Sequence, residues 1–226
     1  MLIDTIVIIP ARGGSKGIPG KNIKLFNGIP LINYSIKYAL SVIPNNQIYI
    51  STDSEEIKDI VYEFGVKTID RPDEISGDIA TTESAISHVL SSIDIKPKNI
   101  VLLQATSPLR PKNSLKTLIQ YFEENDFDSL LTISSTHRFF WELDGKNALP
   151  HYDFENRPRR QDMKEAEMKY IENGSVYMFS YNHFIEYNNR LGGKIGYYIF
   201  PEECAFEIDS ISDWIALEQI AKLNKY

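Results

Sequence analysis

The chain has 226 residues, of which 42% are hydrophobic and 24% charged, and this length allows one α/β domain with an appendage. The formal net charge of −7 argues against broad nucleic-acid binding, which needs a basic surface. A single cysteine, Cys204, excludes an internal disulfide and a cysteine-based zinc site and fits a reducing cytosol. The first apolar run, TIVII, is too short for a membrane span and follows no basic segment. We therefore expect a cytoplasmic protein without a membrane anchor.

Short apolar runs predict the strands of a sheet. Four are almost continuously apolar, as parallel strands covered on both faces are, and lie at 5–10, 47–52, 99–104 and 129–134. Helical spacing appears between them, at 31–40, 54–65, 81–93 and 113–125. The second helix is expected to begin behind Thr52 and Glu55, which have capping-box spacing, and to end at Gly65. This alternation predicts a doubly wound, mostly parallel α/β domain.

The alternation breaks after Ser134. Residues 137–171 mix aromatic and charged residues without a clear period, which is too apolar for a disordered linker and too irregular for another strand–helix unit. We interpret this segment as an excursion that packs against something else, such as a second subunit. Regular patterns then return as two strands and a last helix, at 174–180, 195–200 and 212–224. The main domain is therefore predicted to comprise 1–136 and 172–226.

Unusual residues follow directly after several predicted strands. The segment ARGGSKG comes after the first strand, TD after the second, and ATSPLR after the strand at 99–104. In open α/β sheets, ligands bind outside the carboxyl ends of the strands. A packing role alone would scatter unusual residues evenly, so we expect a functional site at this edge.

The first of these loops, PARGGSKGIPGKN at 10–22, combines four glycines with three cations and no acidic residue. Its spacing matches neither GxxxxGK[ST] nor GxGxxG. Glycines let backbone N–H groups approach an anion, and Arg12, Lys16 and Lys21 would neutralise it. We interpret the segment as a polyphosphate-binding loop; the alternative is a solvated glycine-rich turn.

Two carboxylates stand near the other end of the sequence, in EIDSISD. Glu207 and Asp209 are two residues apart, so both side chains would lie on one face of a strand. Two such oxygen ligands beside phosphates are what Mg²⁺ typically takes from a protein. Asp213 is either a further site residue or a cap of the last helix.

Seven segments occur in the order seen in the CMP-sialic acid synthetases (N-acylneuraminate cytidylyltransferases), and the chain resembles that family from about residue 6 to residue 220. They are IPARGGSKGIPGKN, STD, RP, LLQATSPLR, RRQD, ENGSVY and EIDSISDW. The resemblance implies a Rossmann-like nucleotidyltransferase sheet. It also implies that CMP from CTP is joined, with Mg²⁺, to the anomeric hydroxyl of a nine-carbon 2-keto sugar acid, releasing pyrophosphate. A homodimer is implied as well, with 137–171 as a dimerisation excursion that completes the partner's sugar site.

The resemblance also implies roles for individual residues. Arg12, Lys21 and Asp209 would be catalytic, and Glu207 and Asp209 would hold the metal ion. The nucleotide would be bound by Arg12, Gly13, Gly14, Ser15, Lys16, Lys21, Asn22, Arg71, Ala80 and Thr82. The sugar acid would be bound by Gln104, Arg157, Arg159, Arg160 and Asn173. Plainer alternatives are a solvated arginine cluster at 157–160 and local capping of the next helix by Thr106 and Ser107.

Departures from the family pattern leave the sugar open. The family usually has D-x-D where this chain has Glu207, and many bacterial members have arginine where this chain has Ile171, whereas the ENGS form resembles the animal branch. N-acylneuraminate, legionaminic, pseudaminic and deaminated neuraminic acids all remain candidates. An eight-carbon acid is disfavoured because loops of that type resemble ARYxSTRLPGK and lack GGSKG.

Two other classes of function share part of this pattern. A nucleotide-sugar glycosyltransferase with a DxD metal site would leave the triphosphate-type loop unexplained. A nucleotide-sensing module that is not an enzyme would tolerate loss of the metal carboxylates, yet carboxylates stand at both 207 and 209.

Overall fold

The structure is a computed structural model that describes residues 2–163 and 168–224, without the side chains of Leu2 and Ile3. Within these ranges it contains eleven strands and six α-helices. The strands are β1 Leu2–Pro10, β2 Leu25–Phe26, β3 Ile29–Pro30, β4 Ile48–Thr52, β5 Lys67–Asp70, β6 Lys96–Leu103, β7 Ser129–Thr136, β8 Trp141–Asp144, β9 Asn147–Pro150, β10 Lys169–Ser180 and β11 Ile195–Phe200. The helices are α1 Leu31–Leu40, α2 Glu55–Tyr62, α3 Thr82–Ser92, α4 Ser114–Glu124, α5 Tyr181–Tyr187 and α6 Ile211–Asn224.

A seven-stranded sheet forms the centre, in the order β11-β7-β10-β6-β1-β4-β5. Neighbouring strands are parallel except at β10, which runs antiparallel to both β6 and β7. Among the described residues between β7 and the adjacent β10 there is no α-helix that crosses the sheet, and a return without such a crossover makes neighbouring strands antiparallel. The predicted mostly parallel sheet is confirmed.

Helices cover both faces of this sheet, and successive residues of β1 show why its sequence is continuously apolar from Ile6 to Ile9. Val7 and Ile9 belong to the core cluster that contains residues of α1, α2, α4 and α6. Ile6 and Ile8 belong to a second cluster, on the other face, with residues of α3 and α5. Because side chains alternate between faces, only a strand buried on both sides has no polar positions. The doubly wound architecture is therefore confirmed.

The predicted capping box of α2 is wrong. The N-cap is Ser54, whose Oγ accepts a hydrogen bond from the Ile57 N–H (3.4 Å), whereas Thr52 is the last residue of β4. The helix ends at Tyr62, earlier than expected, and Gly65 follows with a φ of +63°, a conformation that suits glycine.

Several short elements were not predicted. Strand β5 lies at the edge of the sheet and is mostly exposed, so its sequence lacks the apolar run of a buried strand. The excursion at 137–171 contains the antiparallel hairpin β8–β9, which forms its own small sheet. Trp141, Leu143 and Leu149 of this hairpin are exposed. In the described ranges, the helices are all too short or too polar to cross a membrane.

Candidate active site

A cavity of about 430 Å³ opens at the carboxyl ends of β1, β5 and β6, where the sequence predicted a site. Residues just after these strands line it, together with parts of the glycine loop, the segment before α3 and the segment before α6. The predicted site residues that line the cavity are Arg12, Gly14, Ser15, Lys21, Asn22, Arg71, Ala80, Thr82, Gln104, Glu207 and Asp209. Segments far apart in the chain therefore meet at this edge.

The glycine loop is held by side chains on both of its flanks. The Gly13 N–H donates to Asp53 Oδ1 (2.7 Å), and the buried Asn22 donates from Nδ2 to the carbonyl of Arg12 (2.9 Å). A Cβ at Gly13 would lie 2.8 Å from the Cβ of Ser54, so the close approach requires glycine. Sequence reasoning missed the anchoring role of Asp53, although the TD dipeptide after β4 pointed to that position.

The three cations of the loop all have partners within the protein. Arg12 Nη1 donates to the Gly77 carbonyl (3.0 Å) and to Asp78 Oδ1 (3.2 Å). Lys16 Nζ lies 2.6 Å from Asp78 Oδ2 and does not line the cavity. Lys21 Nζ donates to the Ile208 carbonyl (2.6 Å). These contacts connect the loop to two other walls of the cavity.

Glu207 and Asp209 lie in an irregular segment, so their predicted strand is wrong. Both nevertheless line the cavity, because the Ile208 N–H donates to the Thr106 carbonyl (2.9 Å) and fixes the segment against the end of β6. Lys21 Nζ stands 3.5 Å from Asp209 Oδ1. The carboxylates and the cation thus share one side of the cavity.

Glu207 occupies space that only a glycine leaves open. A Cβ at Gly174, whose φ is +62°, would lie 2.2 Å from Glu207 Oε1. Burial, followed by the charges of Asp209 and Glu172, raises the pKa of Glu207. Because Glu207 is partly buried and is repelled by Asp209, a nearby cation would stabilise the charged forms of both carboxylates.

The donor set fits Mg²⁺, which favours carboxylate oxygen and usually keeps several waters or phosphate oxygens. Among residues 2–163 and 168–224, the structure contains no group of three or more His, Cys, Asp or Glu side chains suited to a metal ion. Glu207 and Asp209 would therefore supply two ligands, with the remainder from the substrate and water.

Asp213 belongs to the start of α6. Its Oδ2 accepts hydrogen bonds from the N–H of Asp209 (3.1 Å), the N–H of Ser210 (2.7 Å) and the hydroxyl of Ser210 (2.8 Å). The Asp213 N–H returns a bond to Ser210 Oγ (3.3 Å), which completes a capping box. The capping alternative is therefore confirmed, and the cap also holds the backbone of Asp209.

An Asp213→Asn variant is expected to be less stable by about 1 kcal/mol at pH 7, as for other lost helix caps. The bonds from Ser210 lower the pKa of Asp213, so its contribution is present above the unfolded-state pKa and is lost as the pH falls through the folded-state value. Urea unfolding at pH 7 and at about pH 3 would measure this. An equal difference at both pH values would contradict a charged cap.

Arg71 reaches the cavity from the end of β5. It is buried, with Nε donating to Ser51 Oγ (3.0 Å) and Nη2 to the Ser51 carbonyl (2.6 Å). Burial lowers the pKa of its guanidinium, partly offset by Asp53. The side chain is thus fixed in place in the cavity wall, at the end of the edge strand β5.

Thr106 and Ser107 do not cap the next helix, so that alternative is wrong. Helix α4 starts at Ser114 behind Asn113, far from both hydroxyls in sequence. Thr106 lines the cavity, and Ser107 Oγ donates to the Asn173 carbonyl (3.4 Å).

Some predicted residues lie outside the cavity lining. These are Gly13, Lys16, Arg157, Arg159, Arg160 and Asn173. Among the excursion arginines, Arg157 stacks on Phe139 at 4.5 Å, Arg159 pairs with Asp162 at 2.5 Å, and Arg160 pairs with Glu202 at 3.1 Å. All three guanidinium groups therefore contact side chains of the same chain outside the cavity.

Asn173 is fully buried and supports the irregular part of β10. Its Oδ1 accepts from Thr132 Oγ1 (2.6 Å) and the Ser175 N–H (3.2 Å), and its Nδ2 donates to Ser134 Oγ (3.2 Å). The pairing of β10 with β7 shifts register in this region. Asn173 thereby helps to hold the bend that brings Gly174 under Glu207.

A doubly wound sheet with a cationic glycine loop facing two carboxylates defines a nucleotidyltransferase-type α/β protein. The solved structure of a CMP:2-keto-3-deoxy-manno-octonic acid synthetase complexed with CTP is similar, with a TM-score of 0.70 over 98% of this chain and 99% of that chain at 15% identity. At that identity the likeness concerns the fold.

The chain belongs to the cytidylyltransferase family, whose model matches residues 6–226. It is 36% identical to N-acylneuraminate cytidylyltransferase A of Danio rerio, over 94% of this chain and 49% of that protein. It is 30% identical to the pseudaminic acid cytidylyltransferase of Campylobacter jejuni, over 97% of both. The predicted resemblance is confirmed. The chain spans about half the length of the N-acylneuraminate relatives it matches.

Proposed function

We propose that the protein is a Mg²⁺-dependent cytidylyltransferase that joins CMP from CTP to the anomeric hydroxyl of a nine-carbon 2-keto sugar acid. One observation carries this proposal: a single cavity brings Arg12 and Lys21 of the glycine loop together with Glu207 and Asp209. Cations for a triphosphate and ligands for its metal ion are the parts that phosphoryl transfer requires.

In the proposed reaction, the sugar oxygen forms a bond to the α-phosphorus of CTP while the bond from that phosphorus to the bridging oxygen breaks. The bridging oxygen leaves with pyrophosphate, and the hydroxyl proton leaves to solvent. Arg12 and Lys21 would orient the triphosphate and stabilise its charge, with Gly13, Gly14, Ser15 and Lys16 in the same loop. When bound between Glu207 and Asp209, Mg²⁺ supplies charge neutralisation at the phosphates.

The nucleoside would lie along the sheet edge beyond the loop. Asn22 would contact the ribose, and the buried Arg71 with Ala80 and Thr82 would contact the base. A site that discriminates cytosine needs polar groups whose burial makes a wrong base costly. The buried and fixed guanidinium of Arg71 fits that requirement, and the more exposed segment before α3 would add backbone contacts.

The sugar acid would be held by Gln104 and by the arginines of the excursion, Arg157, Arg159 and Arg160, while the buried Asn173 would support the backbone of β10 beside them. We propose that 137–171 is a dimerisation excursion and that 1–136 and 172–226 form the catalytic domain. The exposed apolar side chains of Trp141 and Leu143, which share one face of the β8–β9 hairpin, support a homodimer, since exposed apolar patches mark interaction sites. A cytoplasmic location is proposed on the single cysteine.

Pyrophosphate release from CTP and Mg²⁺ tests the proposal. We expect release with N-acetylneuraminate or pseudaminic acid, the sugar classes named in the relatives, and the panel would include legionaminic acid, deaminated neuraminic acid and an eight-carbon acid. EDTA should abolish release, and ATP or UTP should replace CTP poorly. Binding of CTP without turnover of any sugar would contradict the enzymatic proposal and favour nucleotide sensing.

A further inference from the structure

Asp78, in the segment between β5 and α3, contacts two of the three cations of the glycine loop. Its Oδ1 lies 3.2 Å from Arg12 Nη1, and its Oδ2 lies 2.6 Å from Lys16 Nζ. Each carboxylate oxygen therefore takes one cation. Arg12 Nη1 also donates to the neighbouring Gly77 carbonyl (3.0 Å), which strengthens the link between the two segments.

The carboxylate stands where the proposed function puts phosphate oxygens. Asp78 and Arg12 both line the cavity. Phosphate oxygens and carboxylate oxygens bind guanidinium and ammonium groups through the same charge-assisted hydrogen bonds. A triphosphate and Asp78 therefore compete for Arg12 and Lys16, and their like charges repel when both are present.

We propose that Asp78 is an internal counter-anion for Arg12 and Lys16, which the triphosphate of the incoming nucleotide displaces. The inference rests on the proposed function, since it concerns the same cavity. The pairing keeps the cations of the loop neutralised and ordered until nucleotide arrives. Lys16, and to a lesser degree Arg12, lowers the pKa of the Asp78 carboxyl, so the counter-anion is charged at neutral pH.

Displacement of Asp78 has a second effect. Asp78 lies two residues before Ala80 and shortly before Thr82, which are the proposed base contacts, so its ion pairs tie the base-binding segment to the phosphate-binding loop. When the triphosphate takes over Arg12 and Lys16, that tie is released. Binding of the phosphates and adjustment of the base-binding segment are thus coupled through the contacts of the loop cations with Gly77 and Asp78.

The test is the affinity of Asp78→Asn for inorganic tripolyphosphate, measured by calorimetry at low salt. We expect binding roughly three- to tenfold tighter than in the unmodified protein, as the loss of two exposed ion pairs allows. The gain should shrink in about 0.5 M salt, because exposed charges are then screened. Asp78→Glu keeps the charge and should bind like the unmodified protein.

Asp73→Asn is the matched control. Asp73 is exposed in the same segment, and within the described residues it forms no ion pair with Arg12 or Lys16. The Asp73→Asn substitution removes the same negative charge as Asp78→Asn. Tighter binding in Asp78→Asn alone would therefore identify the ion pairs as the cause. Equal or weaker binding in Asp78→Asn than in Asp73→Asn would overturn the inference, because Asp78 would then support the cations for phosphate instead of competing.

Cytidine, which has no phosphate, provides a readout that a purely structural role would change. Its affinity should be the same in Asp78→Asn and the unmodified protein, because without phosphate the bond from Arg12 to the Gly77 carbonyl still holds the base-binding segment, whereas a general rearrangement of the cavity would alter it. Tripolyphosphate binding does not depend on any sugar acid or on turnover. If the proposed function is wrong, pyrophosphate release from CTP will be absent. The tripolyphosphate experiment does not measure that release, so the two failures can be distinguished.

Discussion

An Asp209→Asn variant should release pyrophosphate from CTP at least about a hundredfold more slowly than the unmodified protein, since charge stabilisation by a metal ion contributes several kcal/mol. Asp209 is exposed at the cavity, with its carboxylate 3.5 Å from Lys21 Nζ. Replacing it keeps the shape of the side chain and removes the charge that would bind Mg²⁺. The measurement is kcat under saturating CTP, followed as a function of Mg²⁺ concentration.

The fold should tolerate this change. Because the Asp209 side chain is 77% exposed, the free energy of unfolding is expected to change by less than about 0.5 kcal/mol. Asp59→Asn is a matched control, as Asp59 is exposed on α2 and does not line the cavity. A rate in Asp209→Asn close to that of the control would place the metal ion elsewhere.

Replacement of Arg110 by methionine should cost roughly 2–5 kcal/mol of unfolding free energy, because it strands buried polar groups. Arg110 is buried and connects three elements: Nη1 donates to Ser35 on α1 (3.0 Å), and Nη2 donates to the carbonyls of Gln104 (2.7 Å) and Ser175 (3.0 Å). Without the guanidinium, both carbonyls remain buried with a donor removed. Urea unfolding at pH 7 measures the loss.

Burial lowers the pKa of Arg110 to about 10, so the guanidinium is still charged at neutral pH and the loss should not vary between pH 6 and pH 8. Arg110→Lys should recover only part of the stability, because an ammonium group cannot reproduce the planar fork. Arg138→Met, at an exposed arginine, controls for the change of residue type. A loss in Arg110→Met no larger than in this control would refute the bracing role.

The strands that were predicted correctly are those that are buried on both faces, because such strands have mostly apolar sequences. β1 is apolar from Ile6 to Ile9 and β4 from Ile48 to Ile50, because both strands are buried on both faces. β5 pairs along only one side and is mostly exposed, so its short sequence, KTID, has no such apolar run. The helix cap at Ser54 was misplaced by two residues because several neighbouring side chains have the chemistry of a cap.

The site was predictable where residue chemistry was concentrated in one segment. The loop with Arg12 and Lys21 and the pair Glu207 and Asp209 were identified from their own neighbourhoods. The contacts of Asp53 and Asp78 with the loop were not predicted, because their partners lie about 40 and 66 positions away along the chain and no local pattern encodes such distances.

Asn173 shows a different limit. Family likeness placed it beside the sugar, but its amide is fully engaged inside the protein with Thr132, Ser134 and the Ser175 N–H. A motif identifies a position that matters without saying whether the side chain faces a ligand or supports the backbone that does.

The contact between Lys21 Nζ and the Ile208 carbonyl joins residues 187 positions apart. A ribosome makes the chain from the amino end, so the glycine loop emerges long before its partner segment exists. A nascent chain can assemble several parallel strands before Glu207 and Asp209, which line the cavity, have been made. Under the proposed function, nucleotide would therefore stabilise, by mass action, mainly chains in which residues 207–209 have been made and have joined the cavity.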